Sequence, residues 1–496
     1  MNSRNHSRKL QPWGKMVLLL PLVAVLAGCA VGPDFQRPAS PAVTGYTTAP
    51  LPVVTVASPG IQGNQQQFVS APVPAEWWKE LRSDKLTDLI GQALQASPTL
   101  AAAQATLRQG QETYAARAGS TLYPQVDANL SGQRQRVNPS TLGQTGDARV
   151  FNLYNTSVGV HYQLDLAGGN RRALEALAAR AEYRRYELEG ARLTLAANIV
   201  TTAITQARLA GQIQATEAIL RAQDEQLHIT RERVRLGQAA PDDVLALQTQ
   251  VEQTRAGLPL LRKQLQQNEH LLAVLAGRAP GAGGLPTFTL EEFTLPSDLP
   301  LVLPSELVRR RPDIQAAEAL LHAANAEYGV AVAKLYPQLN ISASLGSQAL
   351  STGALFGGGS AVWSLIGQLT QPLFNPGLPA EKRASLAAFD AAAANYQSVV
   401  LEALRNVADV LRALDNDAQT LAALATADIA AQGSLESMQR QYALGAASYV
   451  QLLTAQQQAQ QNGINLIAAK SQRLVDSAAL YQALGGGWVA SAQSLR

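Results

Sequence analysis

The side chains that could do chemistry are few and scattered. The histidines His6, His161, His228, His270 and His322 lie far apart. None has a second histidine or cysteine at i+3 or i+4, the spacing that would bring two metal ligands onto one helix face. Cys29 is the only cysteine, which excludes an intramolecular disulfide. There is no Gly-x-x-x-x-Gly-Lys-Ser/Thr run to cradle phosphates and no Gly-x-Ser-x-Gly turn to expose a nucleophile. Gly281, Gly283 and Gly284 border Pro280 and Pro286 and read as loop. Arg309, Arg310 and Arg311 could serve an anion; an exposed cluster at a helix start is the simpler reading. These residues predict neither a catalytic centre nor a metal site, so function has to come from the elements that carry them.

The 496 residues are 47% hydrophobic and 16% charged, ample for a buried core. The formal charge is +3, but Arg4, Arg8, Lys9 and Lys15 fall in the first 28 residues, which hold no acid. Without that segment 36 basic residues face 37 acidic ones, a net of −1, and no basic surface for nucleic acid is implied. After this basic start, the apolar run from Met16 to Ala27 has the length of a signal-peptide core and is too short to span a bilayer. It ends in Leu26-Ala27-Gly28-Cys29, which resembles the lipobox of bacterial lipoproteins. That resemblance implies a signal peptide over 1–28 and a covalent lipid on Cys29, the one cofactor expected. An ordinary cleavable signal that happens to end in cysteine is the alternative. Ala30, where an aspartate would retain such a protein on the inner membrane, implies outer-membrane sorting, and lipid adds about 0.8 kcal/mol of membrane affinity per buried CH₂. Residues 30–75 hold Pro33, Pro38, Pro41, Pro50, Pro52 and Pro59 without a sustained period, and predict an extended tether within an N-terminal segment over 29–83.

The remainder is duplicated. Ser97-Pro98 to Tyr123-Pro124-Gln125 recurs as Arg311-Pro312 to Tyr336-Pro337-Gln338. Leu236-Gly237, Leu245 and Gln248 recur as Leu444-Gly445, Leu453 and Gln456, 208 residues on in each case, and Leu275-Ala276-Gly277 is echoed by Leu484-Gly485-Gly486. Two repeats, 84–280 and 303–486, are therefore expected, joined by a linker over 281–302 and followed by a tail over 487–496.

Each repeat opens with an Ala-rich helix that ends at Tyr-Pro-Gln, since proline cannot sit inside a continuing helix. Alternation then predicts strands. Leu339, Ile341, Ala343 and Leu345 alternate with polar residues, as do Val126, Ala128 and Leu130, and Val158 to Leu166. The predicted strands are 125–137 and 152–166 in the first repeat, 338–347 and 361–374 in the second. They are long enough to cross a bilayer, yet an open four-stranded sheet cannot sit in lipid with unpaired edges. One chain cannot close a barrel; two copies would give eight strands and three would give twelve. Long helices over 168–236 and 377–444 follow, each spanning ~100 Å at 1.5 Å per residue, with return helices over 242–277 and 449–484. Val400, Leu404, Val407, Leu411, Leu414, Ala418, Leu421 and Ala425 alternate in steps of four and three, a coiled-coil seam. Val244, Leu247, Val251, Leu258, Leu261, Leu265, Leu272 and Leu275 share one frame, with Pro259 expected to bend their helix.

Trp77-Trp78, Ser97-Pro98, Arg309-Arg310-Arg311-Pro312-Asp313-Ile314, Ala316-Ala317-Glu318, Ala323-Ala324-Asn325-Ala326, Tyr336-Pro337 and Val31-Gly32-Pro33-Asp34 together resemble the TolC-type outer membrane factors, in their NodT-like lipoprotein branch. The resemblance covers nearly all of the chain after Cys29. It implies a mainly α fold with β: a trimer with a 12-stranded outer-membrane barrel continued by a periplasmic α-helical barrel. It also implies a periplasmic adaptor and an inner-membrane pump, most often of the RND type, as partners. The periplasmic tips would be the turns at Gly237 and Gly445, and the family's acid-to-tyrosine link maps to Asp243 and Tyr442. Ala447 replaces an arginine, and Gln451 and Thr454 stand where acidic rings occur, so a more neutral gate is expected. A phenol-to-carboxylate bond contributes roughly 1.5–3 kcal/mol. Asp243 has a plainer reading as well, because an acid in a helix's first turn offsets the macrodipole.

Three functions follow from these readings. The leading one is the outer-membrane channel of a tripartite pump for small toxic molecules. The second is the outer-membrane duct of type I protein secretion, and the third a structural envelope coiled coil without a pore. No enzyme is expected.

Overall fold

The computed structural model describes residues 30–139, 143 and 145–487. The predicted signal peptide, Cys29 and residues 488–496 lie outside the described residues. Strand β1 (Gln67–Val69) precedes helices α1 (Asp84–Ala96) and α2 (Pro98–Leu122), then strands β2 (Gln125–Val137) and β3 (Arg149–Leu164). The 67-residue helix α3 (Gly169–Arg235) and its 35-residue return α4 (Pro241–Leu275) complete the first copy. After β4 (Asp298–Pro300) the series recurs as α5 (Pro304–Arg310), α6 (Pro312–Ala333), β5 (Gln338–Ala349), β6 (Ala361–Thr370), α7 (Gly377–Ala443) and α8 (Tyr449–Ala483). Helices α7 and α8 again have 67 and 35 residues.

Where the elements end has local causes. Strand β3 stops at Leu164 rather than 166 because the Asp165 carboxylate accepts from the backbone N–H groups of Asn170 (3.0 Å) and Arg171 (2.9 Å), capping α3. Strand β6 stops at Thr370 rather than 374 just ahead of Pro372, which has no N–H to give to a ladder. Helix α4 runs through Pro259 without a break, at the loss of one backbone hydrogen bond to residue 255.

The chain divides into two compact units. The first comprises residues up to 37, 107–183 and 318–395. It holds one antiparallel sheet in the order β2-β3-β5-β6, with the two hairpins joined through β3 and β5. The register runs from Gln125 opposite His161 to Val137 opposite Arg149, from Tyr154 opposite Ala349 to Leu164 opposite Leu339, and from Gln338 opposite Thr370 to Ser347 opposite Ala361.

The second unit comprises residues 38–106, 184–317 and 396–496. Its core gathers Trp77, Trp78 and Leu81 with the α1 residues Leu86, Leu89 and Ile90, Ile199 to Ala207 of α3, Phe288 to Val302, Val407 to Leu414 from the middle of α7, and the end of α8. Trp77 stacks on Tyr481, with ring centroids 5.6 Å apart, and meets Trp78 edge-on at 6.0 Å. The heptad seam of α7 is the buried face: Val400, Val407, Leu411, Leu414, Ala418, Leu421 and Ala425 are all inside, while Ala403 takes the place expected of Leu404.

The N-terminal segment departs from the expected tether. Its backbone is extended, but strand β1 pairs in parallel with β4, and Thr55, Gln62 and Gln66 are buried. Arg473, 1% exposed, explains the capture: its guanidinium donates to the carbonyls of Gln62 (2.9 Å) and Asn64 (3.1 Å), to Thr55 Oγ1 (3.2 Å) and to Gln66 Oε1 (2.9 Å). Proline restricts the backbone there without preventing packing, because the carbonyls remain free to accept.

Candidate functional site

Residues directly opposite one another in a sheet share a face. Ala128 opposes Val158, Val158 opposes Leu345, and Leu345 opposes Trp363, so one apolar row crosses four strands. Val126, Val160, Ala343 and Leu365 form the next row. The other face carries Asp127, Gly159, Ser344 and Ser364 in one row, with the two serine hydroxyls 2.8 Å apart. The apolar face is not covered by the described residues: Trp363 is 77% exposed, and Leu130, Leu345, Leu365 and Leu369 are exposed with it. At about 25 cal/mol per Å² that surface is costly in water and favourable in hydrocarbon. The outer edges of β2 and β6 have no strand beside them among the described residues. In lipid those edges must pair, because no water is there to satisfy N–H and C=O groups.

The second region is the pair of turns in the other unit. Helices α3 and α7 end in the same way. Gly237 and Gly445 take φ of 72° and 75°, the left-handed conformation glycine reaches without a Cβ clash. Gly237 N–H donates to Val234 O (3.0 Å) and Gln238 N–H to Arg233 O (2.7 Å); Gly445 N–H donates to Tyr442 O (3.0 Å) and Ala446 N–H to Gln441 O (2.8 Å).

The starts of the return helices differ. In α8 Ser448 and Gln451 form a reciprocal capping box: Ser448 N–H donates to Gln451 Oε1 (2.8 Å) and Gln451 N–H to Ser448 Oγ (3.4 Å). In α4 Pro241 occupies the first position and the Asp243 carboxylate accepts from Ala240 N–H (3.3 Å). The Asp243 carboxylate is thus placed on its own helix start, and its hydrogen bond goes to backbone rather than to Tyr442. The Tyr442 ring packs edge-on against Tyr449 (5.8 Å), with the Arg233 guanidinium 5.2 Å from its centroid. Tyr449 belongs to a small core with Leu227, Leu247 and Val251, against which Val244, Tyr442 and Leu453 pack. Its buried hydroxyl has no partner among the described residues, and burial, with Tyr442 and Asp243 nearby, pushes its acidity down. Thr454 is exposed and bonds back to Val450 O (2.9 Å); Ala447 lies between the turn and the cap. Arg233 and Tyr449 were not singled out in the sequence. Only the seven-residue spacing of Tyr442 and Tyr449 hints at their contact.

The arginine run is not simply an exposed cluster. Arg311 is mostly buried; it pairs with Asp313 (2.7 Å) and donates to Asn406 (3.2 Å) and to the Ala483 carbonyl (2.8 Å), satisfying an orphan acceptor at the end of α8. Asp476 is likewise buried. Gln472 donates to one carboxylate oxygen (2.8 Å), and the other has no hydrogen-bond partner among the described residues. Burial, then the Asp417 carboxyl beside it, raises its pKa to about 8, against the opposing pull of Arg473. Among the described residues no group of histidine, cysteine and acidic side chains could hold a metal, and no helix is long and apolar enough to cross a membrane.

A sheet with one apolar face and two open edges, in one chain with duplicated coiled-coil helices, defines a subunit of an outer-membrane barrel. The chain belongs to the outer membrane efflux protein family, whose model matches residues 89–278 and 303–486, one match in each repeat. It is 30% identical over 486 residues to the probable efflux pump outer membrane protein TtgC of Pseudomonas putida, covering 96% of both chains. It is 28% identical over 482 residues to the outer membrane protein OprJ of Pseudomonas aeruginosa, again covering 96% of both. The solved outer-membrane channel OprN superposes with a TM-score of 0.84 at 26% identity, over 93% of this chain and all of that one. The protein is therefore an outer-membrane efflux channel protein, with the mainly helical, sheet-bearing fold of that family.

Proposed function

We propose that three copies of this chain close a twelve-stranded barrel through β2–β6 contacts and form the passive exit duct of a tripartite efflux system. A periplasmic adaptor and an inner-membrane pump, RND-type by preference, supply recognition and energy, and small toxic molecules are the cargo. The observation that carries the reading is the sheet: its apolar face suits lipid, and its two open edges need strands from other copies. The relatives named for efflux pumps support the small-molecule cargo. The duct itself performs no catalysis. Cys29 bears the lipid anchor, at the end of the Leu-Ala-Gly-Cys sequence.

The turns at Gly237 and Gly445 form the periplasmic gate. Its closure rests on packing of Arg233, Tyr442 and Tyr449, with Asp243 holding the start of α4; Gln451 and Thr454 keep the constriction uncharged. Purified protein should run as a heat-sensitive trimer in detergent and give discrete conductance steps in planar bilayers. Asp243→Ala, which frees the start of α4, and Tyr442→Ala, which removes the ring that Arg233 and Tyr449 pack against, should each raise single-channel conductance. A monomer without conductance would overturn the duct, and wild-type conductance in both variants would overturn the gate assignment.

A further inference from the structure

The residues just after Cys29 lie in a built groove of the sheet-bearing unit. Val31 N–H donates to Ala167 O (3.0 Å), in the junction between β3 and α3. Gly32, at φ of 93°, runs against α6, where a Cβ would stand 2.8 Å from Gly329 Cα. A Cβ on Gly168 would stand 2.5 Å from Ala30 Cα, so the segment passes where only glycine leaves room. Arg172, 4% exposed, directs its donors at the segment: Val31 O (3.4 Å), Gly32 O (3.3 Å) and Asp34 Oδ1 (2.6 Å), with Glu175 (2.7 Å) holding its other arm. Buried Asn325 donates to Pro33 O (3.0 Å), and buried Glu318 accepts from Arg37 (2.5 Å). The Phe35 ring stacks on His322 at 4.4 Å, and His322 is fixed in turn by Glu175 (2.8 Å).

A segment that only tethers needs none of this, since ordering an extended chain costs conformational entropy at every residue. We propose that the groove formed by Arg172, Glu175, His322 and Asn325 is a docking site for the chain's own Val31–Arg37 segment that fixes the depth at which the acylated N-terminus enters the membrane. This rests on the reading of Cys29 as lipid-bearing. The described chain leaves the groove at Ala30, packed beside Gly168. The acyl chains then start at the level where β3 gives way to α3, at the end of the strands that must enter lipid. Arg172 is a positioning residue in this arrangement, and strand insertion and acyl insertion become one event.

The test uses the full chain in its outer membrane. Six Gly/Ser residues are inserted between Ala30 and Val31, which lengthens the leash and leaves every groove residue in place; Arg172→Gln breaks the groove and leaves the leash. Incorporation of labelled palmitate reports acylation, and pulse-chase of heat-sensitive trimers reports assembly. Both variants should incorporate palmitate as the wild type does and assemble several-fold more slowly, and the double variant should be no slower than either alone. Wild-type assembly of the acylated insertion variant would overturn the depth-setting role, as would a double variant slowed by the product of the two single effects, the mark of a merely structural arginine. Absence of palmitate from the wild-type protein would instead remove the lipid reading and the proposal with it.

Discussion

The long helices end in the open and the return helices end inside the core, yet all four ends use one backbone device. At the inner ends Gly277 N–H donates to Val274 O (3.0 Å) and Arg278 N–H to Ala273 O (2.9 Å), while Gly485 N–H donates to Gln482 O (3.0 Å) and Gly486 N–H to Tyr481 O (2.9 Å). This is the pattern already described at Gly237 and Gly445, with the same left-handed glycine. The surroundings differ. A Cβ at Gly237 or Gly445 meets nothing within 4 Å, whereas at Gly277 it would stand 2.7 Å from Ala96 O and at Gly485 3.1 Å from Arg310 O. Duplication copied a turn, and packing then made one pair of ends rigid while leaving the other free to rearrange. A gate needs the second kind of end.

The largest test of that contrast is alanine at matched glycines. A left-handed non-glycine residue costs about 1–2 kcal/mol, and crowding adds about 1–3 kcal/mol where a new methyl has no room. Gly277→Ala should therefore lose about 2–5 kcal/mol and Gly445→Ala only about 1–2 kcal/mol. Thermal melts followed by circular dichroism in detergent would compare them, and equal melting temperatures would break the distinction between packed and open ends. Next in size is Arg311→Met. It removes charge-assisted bonds worth about 1.5–3 kcal/mol and leaves the Ala483 carbonyl bare at a packed end; a melt unchanged from wild type would show that water replaces the guanidinium there.

Much of this architecture is legible in the sequence because it follows from period. Alternation exposes the strands, three-four spacing exposes the seams, and the 208-residue offset exposes the matching tips at Gly237 and Gly445. The two faces of the sheet could be written down from Leu339 to Leu345 alone. What stays hidden depends on contacts between distant segments. Nothing local to Arg473 announces four acceptors drawn from residues 55 to 66, and nothing in the prolines of 30–75 says that the segment packs. Arg311 looks like surface charge because the carbonyl it serves lies 172 residues away. The residues of the proposed gate fall between these cases: Asp243 and Tyr442 could be placed at the tips, but the bond from Ala240 N–H and the contact with Tyr449 depend on side-chain directions that spacing does not fix.

The packed end also titrates. Asp476 has a folded pKa raised to about 8 by burial and by Asp417, whereas an unfolded aspartate sits near ~4. The folded chain therefore binds the extra proton between those values, so the stability this site allows is full below the unfolded value and is lost as pH rises through the folded one. Asp476→Asn keeps the shape and removes the charge, so its melting temperature should fall less than wild type's between roughly pH 4 and 8. Parallel curves would mean that burial and the neighbouring Asp417 carboxyl do not raise the Asp476 pKa in the folded chain.

The smallest expected effect lies at the open ends and bears most directly on the gate. Helix α8 starts with a full capping box, whereas α4 has Pro241 and a single bond from Ala240 N–H to Asp243. Ser448→Ala should cost about 1 kcal/mol, too little to move a global melt measurably but enough to fray the first turn, and Tyr449 is the first residue of that turn. Deuterium uptake should rise over 449–454 with no change elsewhere. Ala240→Ser adds the acceptor that α4 lacks and should protect 241–246 by a similar margin. If fraying at the caps loosens the Tyr442–Tyr449 contact, Ser448→Ala will lengthen open dwell times in planar bilayers while Ala240→Ser leaves them alone, because only α8 carries the tyrosine. Equal effects from both would place the gate in the stability of the tips as a whole rather than in that one aromatic contact.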